Sequence, residues 1–169
     1  MLIRPEGPAD LAAIHDLVQA AFASAEHSDG TEQDLVDALR RGPAFIPELS
    51  LVAEEDGTLL GHILFTKMKV GDREALALAP LSVRPGRQRQ GIGAALIREG
   101  HRRAAALGYG CSVVLGSETY YPRFGYVPAE QLGIQAPFPV PAENFMAVKL
   151  TEDAPPVRGV VQYAPEFGI

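Results

Sequence analysis

The chain has 169 residues, the length of one domain and enough for a sizeable core. Its 47% hydrophobic and 21% charged residues exclude a mainly disordered protein, and a net charge of -6 argues against nonspecific nucleic-acid binding, which needs surplus Lys and Arg. No apolar run approaches the ~20 residues of a membrane span. The start, Met1-Leu2-Ile3-Arg4-Pro5, lacks a basic segment followed by an apolar one, so a cytoplasmic protein is expected. One cysteine, Cys111, allows no internal disulfide and fits a reducing compartment.

In chain order, Ile3 opens a short strand. Pro8 and Asp10 mark a helix start ahead of Leu11, Ile14, Leu17, Val18, Ala21 and Phe22 at helical spacing. A polar loop, Ser24 to Gly30, leads to a second helix with Leu35, Val36 and Leu39 inward. Leu49 to Glu54 reads as a strand, Asp56-Gly57 as a hairpin turn, and Leu59 to Val70 as the returning strand. Gly71-Asp72 turns into a nearly unbroken apolar run, Ala75 to Val83, completing an antiparallel meander. Pro80 interrupts that run and predicts a bulge or edge, because proline donates nothing to a ladder.

Arg84-Pro85-Gly86 stops the strand, and Gln88 to Gly93 leads into an amphipathic helix from Ile92 to Leu107, stopped by Gly108. Glycines at a helix start let a phosphate approach unpaired N–H groups, and Arg84, Arg87 and Arg89 add positive charge nearby. A P-loop needs a Gly-Lys-Ser/Thr ending, which is missing, and a dinucleotide fingerprint needs a small residue where Leu96 stands. Two readings of Gly91 and Gly93 stand at this point: an anion cradle, or tight strand-to-helix packing with no ligand.

Past the helix, Cys111 to Leu115 is an apolar strand that a helical crossover places parallel to its predecessor. Gly116 to Tyr126 holds one helical turn at most, because Pro122 prevents more. Pro137, Pro139 and Pro141 stiffen a loop before a strand at Phe145 to Leu150, and Val160 to Tyr163 is a candidate edge strand. The expected organisation is one domain over residues 1–150, with 151–169 as a tail.

The pattern QxxGxG (Gln88, Gly91, Gly93) preceded by Val83 and Pro85 resembles motif A of the GNAT superfamily of N-acetyltransferases. The segments LGSETYYPRFGY and PFPVPAENFMAVKL resemble its small bacterial YhbS-like branch. The resemblance covers roughly Leu2 to Leu150 and implies an α/β fold: a central mixed, mostly antiparallel sheet with flanking helices and a splayed strand pair forming the cofactor slot. It implies acetyl-CoA as cofactor, with its pyrophosphate at Gln88, Arg89, Gln90, Gly91, Ile92 and Gly93. Leu81, Ser82 and Val83 would line the pantetheine, and the Val83 N–H would polarise the thioester carbonyl.

The resemblance also implies a leaving-group acid at Tyr121, four residues before Gly125, with Tyr120 as the alternate. A phenol titrates near ~10 and a thiol near ~8.5, so a modest downward shift would bring them together. A family glutamate on the strand before motif A has no counterpart among Ala77, Leu78, Ala79 and Leu81, and Val114 stands where an asparagine is usual. Glu26, His27, Asp29 and Glu32 are the remaining acidic or basic candidates on the acceptor side, and with Asp34 they suggest a small cationic amine. Arg123 reads either as a phosphate contact or as an ordinary helix-end charge. The four histidines show no metal-ligand spacing, so no metal is expected, and Cys111 reads as a buried small hydrophobe.

The expected function is acetyl transfer from acetyl-CoA to a primary amine of a small molecule or peptide, by direct attack in a ternary complex. Neither nucleic acid nor membrane is an expected partner, and the family resemblance allows a homodimer. The alternative is a noncatalytic acyl-CoA-binding regulatory module.

Overall fold

The computed structural model describes residues 1–26 and 28–169. Strand β1 (Leu2–Pro5) is followed by helices α1 (Leu11–Phe22) and α2 (Glu32–Arg40), then by β2 (Phe45–Glu55), β3 (Thr58–Val70) and β4 (Arg73–Val83). Helix α3 (Ile92–Ala106) leads to β5 (Cys111–Leu115), β6 (Val127–Pro128), β7 (Ile134–Gln135), β8 (Phe145–Lys149) and β9 (Gly159–Gln162). The strands pair in the order β1-β2-β3-β4-β5-β8-β6, with β9 beside the end of β3 and β7 beside β9. Only the β4/β5 and β7/β9 pairs are parallel, so the sheet is mixed and mostly antiparallel, as the pattern predicts.

Local chemistry explains the meander. Asp56 and Gly57 both have positive φ (51° and 79°), the backbone a two-residue hairpin turn requires. β2 begins at Phe45, earlier than Leu49, because a register shift between Phe45 and Ser50 absorbs Pro47, which reads as a strand breaker. β6 and β7 escape a periodicity search because each has two residues.

Two helical layers cover the sheet. On one face Leu96, Ile97 and Ala104 of α3 pack on Ile63, Phe65 and Leu76. Gly100 lets this helix lie close, since a Cβ there would fall 2.3 Å from the Phe65 ring. On the other face Ile14, Leu17 and Val18 of α1, with Val36 and Leu39 of α2, cover Val52 and Leu64. β9 extends β3 through Lys69↔Gln162 and Val70↔Val161, and Phe167 packs against the α1/α2 layer. Among the described residues no helix is long and apolar enough to cross a membrane.

The feature that makes a site is the parting of β4 from β5. Their ladder consists of Leu76↔Ser112 and Ala77↔Val113. On its other side β4 pairs Ile63↔Leu81 and Phe65↔Leu78, so it carries one extra residue at Ala79-Pro80, the bulge that Pro80 predicts. Beyond it β4 runs on to Val83, while β5 stays with β8 from Cys111↔Lys149 to Leu115↔Phe145. A slot opens between them.

Candidate active site

The slot widens into a cleft of about 820 Å³ between the β4 end, the start of α3, the C-terminal end of α1 and the turn after β5. Leu81, Ser82, Val83, Gln88, Arg89, Gly91, Ile92 and Gly93 all line it. Gln90 does not: its Oε1 accepts a hydrogen bond from Arg87 Nε at 2.9 Å. Gly91 is the N-cap of α3, with φ 84°, and nothing lies within 4 Å of where a Cβ would be. The first intrahelical bond is Ala95 N–H to Gly91 O at 3.0 Å, which leaves the N–H groups of Ile92, Gly93 and Ala94 without a helical partner. An open backbone cradle at the positive end of a helix dipole fits a pyrophosphate.

The arginines sort differently from the sequence expectation. Arg84 Nε donates to Leu59 O at 2.8 Å, and Arg87 Nη2 pairs with Glu55 at 3.0 Å, so both serve the protein itself. Arg89, Arg98 and Arg123 line the cleft. Arg98 sits over the Phe124 ring at 5.2 Å and Arg123 over Tyr120 at 5.7 Å. On the helix pattern Arg98 looks like any solvent-facing charge. Its role appears only when the turn after β5 folds over α3.

The two tyrosines of the turn occupy different surroundings. The short 3-10 helix Tyr121–Phe124 turns Tyr121 into the core, edge-on to Tyr126 at 5.7 Å, and a Cβ on Gly116 would lie 2.4 Å from its ring. Tyr120 lines the cleft, and its hydroxyl is 2.7 Å from where a Cβ on Gly93 would stand. Burial raises the phenol of each above its ordinary value, and for Tyr120 the nearby Arg123 and Arg98 offset part of that rise. The modest downward shift that would bring phenol and thiol together is therefore not what burial produces. Tyr120 stays protonated at neutral pH and presents a donor to the cleft.

The acidic candidates are elsewhere. Asp29, Glu32 and Asp34 line a separate hollow with Glu166 and Phe167, and Glu32 accepts from Ser28 at 2.9 Å. Glu26 is exposed, and His27 lies outside the described residues. The α1 side of the cleft is instead lined by Ala21, Phe22 and Ala25. Cys111 is buried, its thiol pushed up to about 11 by that burial, so it behaves as a small hydrophobe.

A polar cluster that the sequence does not reveal lies under the α1/α2 layer. Arg40 Nε and Nη2 donate to Glu6 at 2.7 and 3.0 Å, Ser50 Oγ also donates to Glu6, and Ser50 Oγ meets His62 Nε2 at 2.9 Å. Burial alone would raise the Glu6 carboxyl, but His62, Arg40 and Ser50 outweigh it and hold Glu6 at about 2.

A mixed sheet split at a bulged strand, with an amide cradle where it splits, defines an acyltransferase of the coenzyme A-dependent kind. Residues 11–126 match the Acetyltransferase (GNAT) family, and the chain belongs to it. Members of that family move an acetyl group from acetyl-CoA to an amine, and the cleft has the shape and donors such a cofactor needs. Among relatives, the uncharacterised N-acetyltransferase YjhQ of Escherichia coli K12 is 38% identical over 141 residues, 79% of this chain and 78% of that one. YhbS of the same organism is 33% identical over 171 residues, 99% of this chain and 98% of that one. A crystal structure of E. coli YhbS with CoA superimposes with TM-score 0.89 at 30% identity, covering 99% of this chain and 92% of that one. A Brucella melitensis GNAT acetyltransferase in complex with acetyl-CoA gives 0.82 at 38% identity, covering 98% and 97%.

Proposed function

We propose that this enzyme acetylates a primary amine set in apolar surroundings, by direct transfer in a ternary complex, with Tyr120 as the leaving-group acid. The observation that carries the reading is the cleft itself, which joins the amide cradle at Gly91–Ala94 to the Tyr120 hydroxyl and the apolar end at Ala21, Phe22 and Ala25.

Acetyl-CoA supplies an activated thioester. The chain's part is to bind, orient and move protons. The N–H groups of Ile92, Gly93 and Ala94 hold the pyrophosphate, and Arg89, Arg98 and Arg123 add positive charge around it. Arg84 N–H donates to Leu60 O on β3, and successive N–H groups along a strand alternate in direction. Val83 N–H therefore faces the open slot, where it serves as an oxyanion donor. Tyr120, neutral at rest, donates its proton to the departing sulfur. A phenol above ~10 facing a thiol of ~8.5 makes that transfer uphill by about 2 kcal/mol, a gap narrowed because the slot desolvates the thiolate as well. An acceptor wall of Ala21, Phe22 and Ala25 favours a neutral amine on an apolar carrier over a polycation. The compartment we propose is the cytoplasm, where Cys111 stays a free thiol.

The test is thermal shift of the purified protein with acetyl-CoA, CoA and ATP, followed by thiol release across a panel of primary amines. Acetyl-CoA should raise Tm, and Gly91→Glu should abolish the rise, since a side chain there strains the left-handed backbone and fills the cradle. No shift with any CoA species sinks the reading. A shift without thiol release from any amine leaves a noncatalytic acyl-CoA binder.

A further inference from the structure

Two buried polar atoms beside the cleft have no hydrogen-bond partner: Ser82 Oγ and His62 Nδ1. Their residues sit directly opposite each other, His62 on β3 and Ser82 on β4, and are 0% and 1% exposed. Directly opposed residues in an antiparallel ladder share a face with Cβ atoms about 5 Å apart. Leaving such groups unpaired costs stability, and the core groups Ser112, Tyr126 and His101 are paired. Thr66 Oγ1 and Glu166 Oε2 are unpaired as well but do not line the cleft, whereas Ser82 and His62 form a facing pair of which Ser82 is part of the cleft wall.

The wiring of His62 fixes which nitrogen is free. The single Ser50 hydroxyl proton goes to the Glu6 carboxylate, which has none to give, so Ser50 Oγ accepts from His62 Nε2–H. Nδ1 then carries the lone pair. Nε2 is turned toward Ser50 on β2, and Nδ1 leaves from the other edge of the ring. Alternation along β4 completes the placement. Leu81 and Val83 point to the α3 side, each 3.7 Å from where a Gly93 Cβ would be, so Ser82 points to the α1 side, where Ala21, Phe22 and Ala25 wall the acceptor end.

We propose that His62, acting through Ser82 and one bridging water, accepts the proton of the attacking amine. It is a positioning and proton-relay residue one strand removed from the reacting atoms. It fills the role for which β4 offers no carboxylate, and the inference rests on the acetyl-transfer reading above.

The step balances. The neutral amine nitrogen forms the C–N bond, the C–S bond breaks, and the sulfur takes the Tyr120 proton. The surplus proton on nitrogen passes to the Ser82 hydroxyl, which gives its own proton through the bridging water to His62 Nδ1, since Ser82 Oγ and Nδ1 are not hydrogen-bonded to each other. His62, which is 0% exposed, then returns it by the same water and Ser82 path to the cleft and the Tyr120 phenolate, and no net proton is gained or lost. Nitrogen becomes strongly acidic as its lone pair enters the new bond, so a base weakened by burial is sufficient. Burial does lower the His62 imidazole, with the Glu6 carboxylate opposing and Arg40 adding to the drop. Glu6 and Arg40 are the charged groups facing it among the described residues, and the ring rests neutral.

The experiment compares His62→Gln, Ser82→Ala and the double variant, using an amine found in the thiol-release panel. Gln keeps an N–H for Ser50 and removes the basic nitrogen. His62→Gln should lower kcat about 100-fold while KM for acetyl-CoA and the acetyl-CoA thermal shift stay within about twofold. Ser82→Ala should lose a similar factor, and the double variant should be no slower than His62→Gln, because both interrupt one path. A His62→Gln rate within threefold of wild type overturns the relay, as do losses that multiply or a parallel loss of acetyl-CoA binding. A second readout needs no turnover: long-range 1H–15N spectra of the full chain with CoA should show the Nε2–H tautomer, with an Nδ1 signal that moves in Ser82→Ala. A protonated Nδ1 at neutral pH overturns the relay whatever the panel gives. No thiol release from any amine overturns the parent reading, and the relay with it, whatever the tautomer.

Discussion

Tyr120 and Tyr121 are consecutive, with rings 5.1 Å apart and edge-on at 85°, yet they belong to different regions. Tyr120 is part of a cleft wall that also carries the charged groups Arg89, Arg98 and Arg123. Tyr121 is part of the core behind that wall, where His101 Nε2 and Ser112 Oγ both meet the Tyr126 hydroxyl, at 3.0 and 2.8 Å. A tight helical turn rotates about 120° per residue, so one step along it separates a cleft-lining ring from a packing one. The family pattern locates the turn, and the turn's geometry decides which ring faces the cleft.

The largest expected effect separates the two rings directly. Tyr120→Phe should lower kcat about 100-fold or more, the usual scale of a lost proton donor, with the acetyl-CoA thermal shift retained. Tyr121→Phe should stay within about threefold, because its contribution is the ring. The opposite ranking in steady-state kinetics would return the acid to Tyr121 and break the comparison. In stability the order inverts. Tyr121→Ala empties the space between Gly116 and Tyr126 and should cost about 3–5 kcal/mol, read as a fall in Tm of roughly 10 °C. Tyr120→Ala, at a half-buried position, should cost well under half of that.

The core behind the wall also predicts a pH dependence. Burial lowers the His101 imidazole to about 4, so it is neutral in the folded chain where the unfolded chain, near 6.5, already takes a proton. The unfolded state binds more protons in that window. The contribution is thus complete above pH 6.5 and lost as pH falls toward 4, at most about 3 kcal/mol and nearer 2 after allowance for partial exposure. His62 acts in the same direction, so the measurement is a difference. Denaturant midpoints at pH 7.5 and 5 should move less in His101→Gln than in wild type, and an unchanged difference would remove His101 from the account.

The sequence makes the β2-β3-β4 meander, the bulge at Pro80, the α3 start and the parallel return to β5 legible because each rests on a local signal: Asp56-Gly57, a proline in an apolar run, glycines before an amphipathic helix, and a helical crossover. What is not legible depends on distant parts meeting. Glu6, Arg40, Ser50 and His62 come from four elements, and a lone histidine in an apolar strand carries no signal of its own. Pro122 limits the segment to one turn, as the sequence shows, but which of the two tyrosines lines the cleft depends on how that 3-10 turn packs against α3. The acidic stretch reads as an acceptor site in sequence, but Asp29 in the loop and Glu32 and Asp34 on α2 line a different hollow.

The smallest expected effect tests the sorting of the arginines. Arg98 and Arg87 both flank the α3 start, but Arg87 is engaged by Glu55 and Arg98 faces the cleft from over Phe124. A unit charge several ångströms from a phosphate in a partly screened cleft contributes about 1 kcal/mol. Arg98→Ala should therefore weaken acetyl-CoA about fivefold in titration calorimetry, and the weakening should shrink as salt rises. Loss of its contact with the Phe124 ring adds about 0.5 kcal/mol of destabilisation. Arg87→Ala should leave acetyl-CoA affinity within twofold, because its charge is already matched by a carboxylate and both groups are open to water. Equal effects from the two would mean that the field at the helix start is diffuse and that facing the cleft confers no advantage.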